Sequence, residues 1–477
     1  LNNKIKSVAI ATVLALTVGG AGQISADAAT KKPAAKTVTK KPAAKKPAAK
    51  PAADPKPAAA STPVQKEIAA LNASGKKFTY WYGAIFSTVA YAAIQDQIKS
   101  WAKARGIQVD AVAVNTQNTN PVVTAAAAAG TLPDALDMSA SLVLQLGSKN
   151  LRNIQPLIDE MNKLNGGLIG SAEPLNEKSY AAKGLGVPYG MSGSLMYRRL
   201  DLLKEAGAKT TAPKTWEELM EAATKVMKGG AGFALGNGID ADSVMRAQFV
   251  GYGGRLADEA GKKCTLDTPE TRDFLAFVKK WYDKGAYPAS AVTEDGSWDN
   301  NMYLAGRTVF IVNPGSVYAT MVNGSASWDP NPKMAKNTGF SAVPGGPKVR
   351  YSGAEGWLKG IPVTSKYPEL GQDLIRFLLE IRNMQEYLEY AIFGPAYKGF
   401  EKFEYWDENV DPVHAGAYEI AKYGQGPSFP DVNNAAFSAF TAGLNMTKMV
   451  QRHIIDGESA DSTIKKAQAV CQAIYDK

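Results

Sequence analysis

The sequence predicts an α/β fold preceded by a disordered Lys/Pro/Ala-rich tail. Three observations predict it. Lys77–Gly83 (Lys-Phe-Thr-Tyr-Trp-Tyr-Gly) is short, aromatic and β-prone, the pattern of a buried strand ending at a glycine. A helical pattern follows directly, from Val89, and strand and helix patterns then alternate, as in a largely parallel sheet covered by helices. The first 60 residues have a different composition altogether. In open α/β sheets ligands bind beyond the carboxyl ends of strands, which places Tyr80, Trp81 and Tyr82 at or near such a position. Core packing is the competing role for each of these rings.

The totals narrow the function. A chain of 477 residues suffices for two or three domains or one large two-lobed one. Residues 1–60 hold eleven Lys, no Arg and two acids (Asp27 and Asp54), which accounts for the whole net charge of +9. The remainder carries 43 basic and 43 acidic residues, so the body has no basic excess with which to bind nucleic acid. With only His414 and His453, a His-rich metal site is excluded, and the two cysteines lack zinc spacing. No metal or other cofactor is expected. Cys264 and Cys471 stand 207 positions apart, and the sequence leaves their pairing open.

In chain order, residues 1–28 read as an export signal. Lys4 and Lys6 precede an apolar run from Val8, and Ala26-Asp27-Ala28 forms a small-x-small cleavage site. The run is shorter than the ~20 residues that a spanning helix needs. No cysteine follows it, so a lipid anchor is not expected, and the protein is expected in a periplasm or on the outer face of the cytoplasmic membrane. Residues 29–63 form a linker in which Lys-Lys-Pro-Ala-Ala-Lys occurs at 31–36, 40–45 and 45–50. Proline and lysine repulsion keep such sequence extended. It is either an inert spacer or an electrostatic contact to anionic lipid or wall polymer.

The body is expected over 64–477. A short helix spans Val64 to Leu71. The strand Phe78–Tyr82, a helix Val89–Arg105, a strand Ile107–Val114 and an Ala-rich helix Pro121–Ala129 follow. Gly130–Ser139 turns into a third strand, Leu142–Leu146 starts another helix, and Leu151–Leu157 reads as a loop. Thr215 and Glu218 are placed to cap a helix beginning at Trp216. Trp101, Trp216 and Trp281 lie within helical patterns and read as core.

A series of short motifs resembles the extracellular solute-binding proteins of ABC importers, the maltose/oligosaccharide-binding family. Gly130-Thr-Leu-Pro-Asp-Ala135 is followed by Asn153-Ile-Gln-Pro-Leu157, then Gly186-Val-Pro-Tyr-Gly190 and Leu195-Met-Tyr-Arg-Arg-Leu-Asp201. Pro213-Lys-Thr-Trp-Glu-Glu-Leu219, Tyr252-Gly-Gly254, Leu266–Glu270, Tyr303–Ile311, Val343-Pro-Gly-Gly346, Gly353–Ile361 and Ser365–Glu369 continue the match in order. Order and spacing over roughly 76–475, rather than any one motif, carry the resemblance. It implies a two-lobed periplasmic-binding-protein fold (type II), each lobe a mixed, mostly parallel sheet flanked by helices. Lobe I would comprise about 76–188 and 352–402, lobe II about 189–351 and 403–477. Hinges would lie at Val187–Gly190 and Tyr351–Gly356.

The resemblance also implies a ligand cleft between the lobes. Sugars need flat rings for their C–H faces and carboxylates, amides or hydroxyls for their hydroxyl groups. The residues expected there are Trp81, Tyr82, Asp137, Ser139, Tyr189, Asp242, Trp298, Asp299, Asn313, Glu355 and Trp357, with Tyr397 near the entrance. Trp81, Trp298 and Trp357 are each open between cleft and core, and Asp137 between ligand contact and turn. The implied function is capture of a carbohydrate, an oligosaccharide by the resemblance, and its delivery as a monomer to a membrane permease, with no catalysis. Three alternatives stay open: the same fold binding a polyamine, iron or a small anion; a sensory co-receptor; and a secreted glycosidase, whose two carboxylates would lie ~5–10 Å apart.

Overall fold

The computed structural model describes residues 61–84, 88–115, 119–178, 180–226 and 231–477. The export signal and nearly all of the linker lie outside the described residues. Among the described residues ten strands are formed: β1 (Phe78–Ala84), β2 (Val109–Asn115), β3 (Ala135–Ser139), β4 (Val187–Ser192), β5 (Leu195–Arg199), β6 (Ala231–Phe233), β7 (Thr308–Asn313), β8 (Thr338–Ser341), β9 (Glu355–Gly360) and β10 (Gly394–Pro395).

Local sequence sets many of the helix starts. Thr62-Pro63, Thr268-Pro269 and Asp411-Pro412 each place a capping side chain before a proline at the first helical position. The cap oxygen accepts from a free N–H of the first turn, and proline has no N–H to leave unsatisfied. Thr215 Oγ1 accepts from Glu218 N at 3.2 Å as expected, but the Glu218 carboxylate reaches back to Lys214 N rather than to the cap residue. The expected loop Leu151–Leu157 is helical from Gln155, because Pro156 at the first turn opens the helix Gln155–Leu164 instead of ending a segment.

The strands form two sheets, one per lobe. The larger runs β10-β4-β9-β3-β1-β2 and the smaller β6-β7-β5-β8. Parallel pairing is confined to β1–β2, β1–β3 and β6–β7; β3–β9, β4–β9, β4–β10, β5–β7 and β5–β8 are antiparallel. The sheets are therefore less parallel than strand–helix alternation predicts. β9 re-enters the larger sheet from the other lobe and not through a βαβ crossover, so nothing forces it to run parallel.

β1 continues to Ala84, so Gly83 does not terminate it. Its role is close approach: a Cβ there would lie 3.2 Å from Trp357 Cζ3. Val187–Gly190, expected at a hinge, lies within β4 and is paired to β9. The chain passes between sheets at Gly193–Ser194, where a Cβ on Gly193 would lie 2.5 Å from the Gly353 carbonyl oxygen. It returns at Ser352–Ala354, and Gln425 bonds both ends of that return through Ser352 and Ala354. The helix Pro412–Tyr423 touches both sheets: Gly416 abuts Phe340 of β8, and Ala421 abuts Gly394 of β10.

One apolar core runs from the larger sheet onto one face of the smaller, through Tyr197 of β5, Ile311 of β7 and Phe340 of β8, and a second fills the other face of the smaller sheet. Trp101, Tyr80 and Tyr82 are buried in the larger lobe, Trp216 and Trp281 in the smaller. Tyr397, expected at an entrance, is fully buried against Phe400, since the turn that carries it folds inward. Cys264 and Cys471 form a disulfide joining the 257–264 hairpin to the last helix, Ala460–Tyr475. Among the described residues no helix is long and apolar enough to cross a membrane.

Candidate functional site

A cleft of about 590 Å³ lies between the two lobes, against both segments where the chain passes between the sheets. From the larger lobe it receives the β9 residues Glu355 and Trp357, with Ser192 of β4 and Phe393. From the smaller lobe it receives Asp242 and Arg246 of the helix Ile239–Gly251, and Val312 and Pro314 around the end of β7. Tyr351 and Ser352 close the end where the chain returns to the larger sheet, and Phe437 and Thr441 of the helix Ala435–Ala442 form a further wall.

Trp357 is fixed on several sides. Its Nε1–H donates to Ser192 Oγ at 2.9 Å, its ring meets Phe393 edge-on at 5.8 Å, and Gly83 backs it. An indole held this way offers a preformed apolar wall and loses little side-chain entropy when a ligand arrives. Glu355 is half-buried, and its Oε1 accepts from Ser141 N at 2.8 Å at the start of the helix Ala140–Asn150. Burial raises its carboxyl above the usual range, against the hydrogen bonds from Ser141 and Ser139. Asp242 is 3% exposed, and its Oδ1 accepts from Thr447 N (3.0 Å) and Oγ1 (3.2 Å). Burial pushes it up to about 6, the Thr447 bonds opposing.

Arg246 is the only cation among the described lining residues, and it is already committed. Nη1 donates to Tyr351 Oη and to the Pro427 carbonyl, both at 2.6 Å, and Nη2 donates to the Phe429 carbonyl at 2.5 Å. Asp431 stands 3.8 Å away, and the guanidinium lies over the rings of Tyr351 and Phe437 at 4.9 and 4.8 Å.

Of the eleven residues expected at the site, Asp242, Glu355 and Trp357 come together in this cleft. The others are placed elsewhere, each for a local reason. Trp81 points to the opposite face of β1 from Tyr80 and Tyr82 and packs near Leu136 and Val123. Tyr82 is buried in the core beside Tyr80. Asp137 is buried, accepting from Lys359 Nζ at 3.0 Å and from Tyr80 Oη at 2.5 Å. Tyr189 lies under the same ammonium, 3.9 Å from its ring centre. Ser139 caps the helix Ala140–Asn150 and bonds Glu355, so it stands behind the cleft wall without lining it.

Trp298 opens the helix Trp298–Leu304 and packs on the core. Asp299 and Asn313 bond to each other at 3.3 Å, next to the lining stretch of β7 but turned away from the cleft. Burial pushes Asp299 up to about 6 and, with Asp299 nearby, Asp240 up to about 7. Among the described residues no group of His, Cys, Asp and Glu is arranged to hold a metal ion.

The profile of the bacterial extracellular solute-binding proteins matches residues 96–412. The chain belongs to this family. As a bacterial extracellular solute-binding protein it has no match among curated protein sequences, but its fold recurs widely among solved structures. The maltose-bound MalE3 of T. maritima is 20% identical over 83% of this chain and 99% of its own, with a TM-score of 0.64. The GacH receptor of Streptomyces glaucescens, solved unliganded and with acarbose, is 18% identical over 84% and 99%, with a TM-score of 0.66. A sugar transporter from Arthrobacter chlorophenolicus with bound laminaribiose is 16% identical over 83% and 99%, with a TM-score of 0.63.

Four lining residues of this solute-binding protein carry no local signal. Asn120 and Ser141 reach the cleft from the first turns of two lobe I helices. Tyr351 reads as a possible hinge residue, and its ring and hydroxyl contacts with Arg246 follow only from the tertiary fold. Arg246 itself sits mid-helix, where a charged residue ordinarily faces solvent.

Proposed function

We propose that this protein is the substrate-capturing component of an ABC importer, binding a carbohydrate between its lobes and handing it unchanged to a membrane permease. One observation carries the reading. A single cleft set against the hinge segments combines a fixed indole, carboxylates from both lobes and a lining rich in hydroxyl side chains. Rings suit the C–H face of a pyranose, and acids and hydroxyls suit its hydroxyl groups. The maltose, acarbose and laminaribiose held by structural neighbours support the same reading. We assign ligand contacts to Asp242, Glu355 and Trp357, with Asn120 and Ser141 beside them. Lobe closure about the 193–194 and 352–354 segments would sequester the ligand.

The test is a thermal-shift and calorimetric panel of mono- and oligosaccharides, polyamines, iron chelates and oxyanions. A ligand at about 100 times its Kd adds about 2.7 kcal/mol of stability, a readily measured shift. A sugar that binds and is recovered intact supports the proposal. Binding confined to non-sugars, or a sugar consumed during incubation, overturns it.

A further inference from the structure

We infer that the sugar taken by this cleft carries a protonated amine, held between Asp242 on one lobe and Glu355 on the other. The inference rests on the carbohydrate reading above and narrows it. Charge in the cleft is one-sided. Asp242 and Glu355 line it from opposite lobes, and each uses one identified oxygen to hold a helix start: Asp242 Oδ1 receives both Thr447 bonds and Glu355 Oε1 receives the Ser141 N–H. A carboxylate offers about four acceptor sites, so each keeps room for a ligand donor beyond the bonds it receives, from Thr447 and Met446 on Asp242 and from Ser141 and Ser139 on Glu355. The only cation among the described lining residues, Arg246, is spent on two carbonyls, a phenol oxygen and Asp431. Its charge favours the ionised form of Asp242, but its hydrogen bonds go to those other groups and its ion pair is with Asp431.

A low-dielectric cleft walled by one sign of charge concentrates ligands of the other sign. A neutral hydroxyl would supply a hydrogen bond but leave the charge uncompensated. An ammonium would supply both, as a charge-assisted bond. The Trp357 face is also attractive to a cation. Unlike an open-chain polyamine, a sugar ring would also use the many serine hydroxyls and the indole.

The test pairs each amine with its hydroxyl twin: glucosamine with glucose, galactosamine with galactose, and the β-1,4-linked glucosamine disaccharide with cellobiose. Titration calorimetry of the full chain at pH 7, with putrescine as a further probe, reads the affinities. At least one amino sugar should bind about tenfold or more tightly than its twin, the margin between a charged and a neutral hydrogen bond. That ratio should fall toward one in D242N or E355Q, both checked for folding by thermal melts. A twin that binds as tightly as its amino sugar in every pair that binds overturns the inference and leaves the carbohydrate reading standing. Binding of putrescine alone, or of no compound in the panel, overturns the inference; if the wider sugar panel is then also silent, the carbohydrate reading falls with it.

Discussion

Lys359 Nζ lies 3.0 Å from Asp137 Oδ1, the two residues standing directly opposite each other across β3 and β9 although 222 positions separate them in sequence. Both are essentially excluded from water, at 2% and 0% side-chain exposure. Tyr80 Oη donates to the same carboxylate oxygen, and the ammonium also rests on the Tyr189 ring. Burial lowers the lysine's pKa, and Asp137 opposes the shift. The pair pins the strand that returns from the other lobe to the centre of the larger sheet.

Removing one member should therefore be worse than removing both charges. Lys359→Met leaves a buried carboxylate with hydrogen bonds but no counter-charge and should cost about 3–5 kcal/mol in urea unfolding. Adding Asp137→Asn keeps an acceptor for Tyr80 while removing the lone charge, so the double variant should regain part of the loss. A double variant less stable than Lys359→Met would show that the methionine's packing, not the charge, is at fault.

Asp242 should make stability fall as pH rises. Its folded pKa of about 6 lies above the ordinary value of 3.8, so the native state binds more protons than the unfolded state between those limits. The burden of the ionised form is absent well below pH 4, grows through that window and is complete above about pH 6. Asp242→Asn keeps an oxygen for Thr447 and removes the charge. It should stabilise the ligand-free protein by about 1–3 kcal/mol at pH 7.5, a two-unit shift setting the scale, with the gain shrinking toward pH 4. Equal effects at both pH values in urea titrations would refute this account. A cleft acid held at such a cost fits a group kept for ligand.

The Cys264–Cys471 disulfide closes a loop with a sequence separation of 207, which passes through both sheets. Replacing both cysteines with serine should lower stability by about 3–5 kcal/mol, as expected for a long loop, measured against wild type in guanidinium. Dithiothreitol should lower the wild-type midpoint and leave the variant unmoved. An unchanged variant would mean that the last helix, Ala460–Tyr475, is held by its apolar face alone.

Sequence legibility divides along physical lines. Helix starts such as Thr62-Pro63 and Asp411-Pro412 depend on neighbours within four residues and are readable in the chain. The larger architecture follows from motif order. Site residues split differently. Asp137 in the middle of β3 and Glu355 at the start of β9 are both acids in an otherwise apolar strand pattern, and nothing beside them in the chain tells them apart. What separates them is Lys359, which meets Asp137 only through the β3–β9 pairing. Alternation places Trp81 opposite Tyr80 and Tyr82, but not which face of β1 meets the core. Arg246 was invisible because its partners, Tyr351 and the 427–431 segment, converge only in the folded chain.

The two tryptophans of the larger sheet should separate cleanly by function. Trp357 lines the cleft, with Ser192, Phe393 and Gly83 holding its ring, whereas Trp81 packs on the far face of the sheet beside Leu136. Trp357→Ala removes the indole wall and should weaken sugar binding by at least about tenfold, since a lost ring contact is worth roughly 1–2 kcal/mol or more. Trp81→Ala should lower the melting temperature and leave affinity near wild type. Gly83→Ala provides an independent check. Its methyl would press on Trp357 from behind at 3.2 Å, so it should shift affinity in the direction of Trp357→Ala but less strongly. Calorimetry on the three variants, beside their melts, decides. Affinity lost in Trp81→Ala and retained in Trp357→Ala would move the ligand out of this cleft.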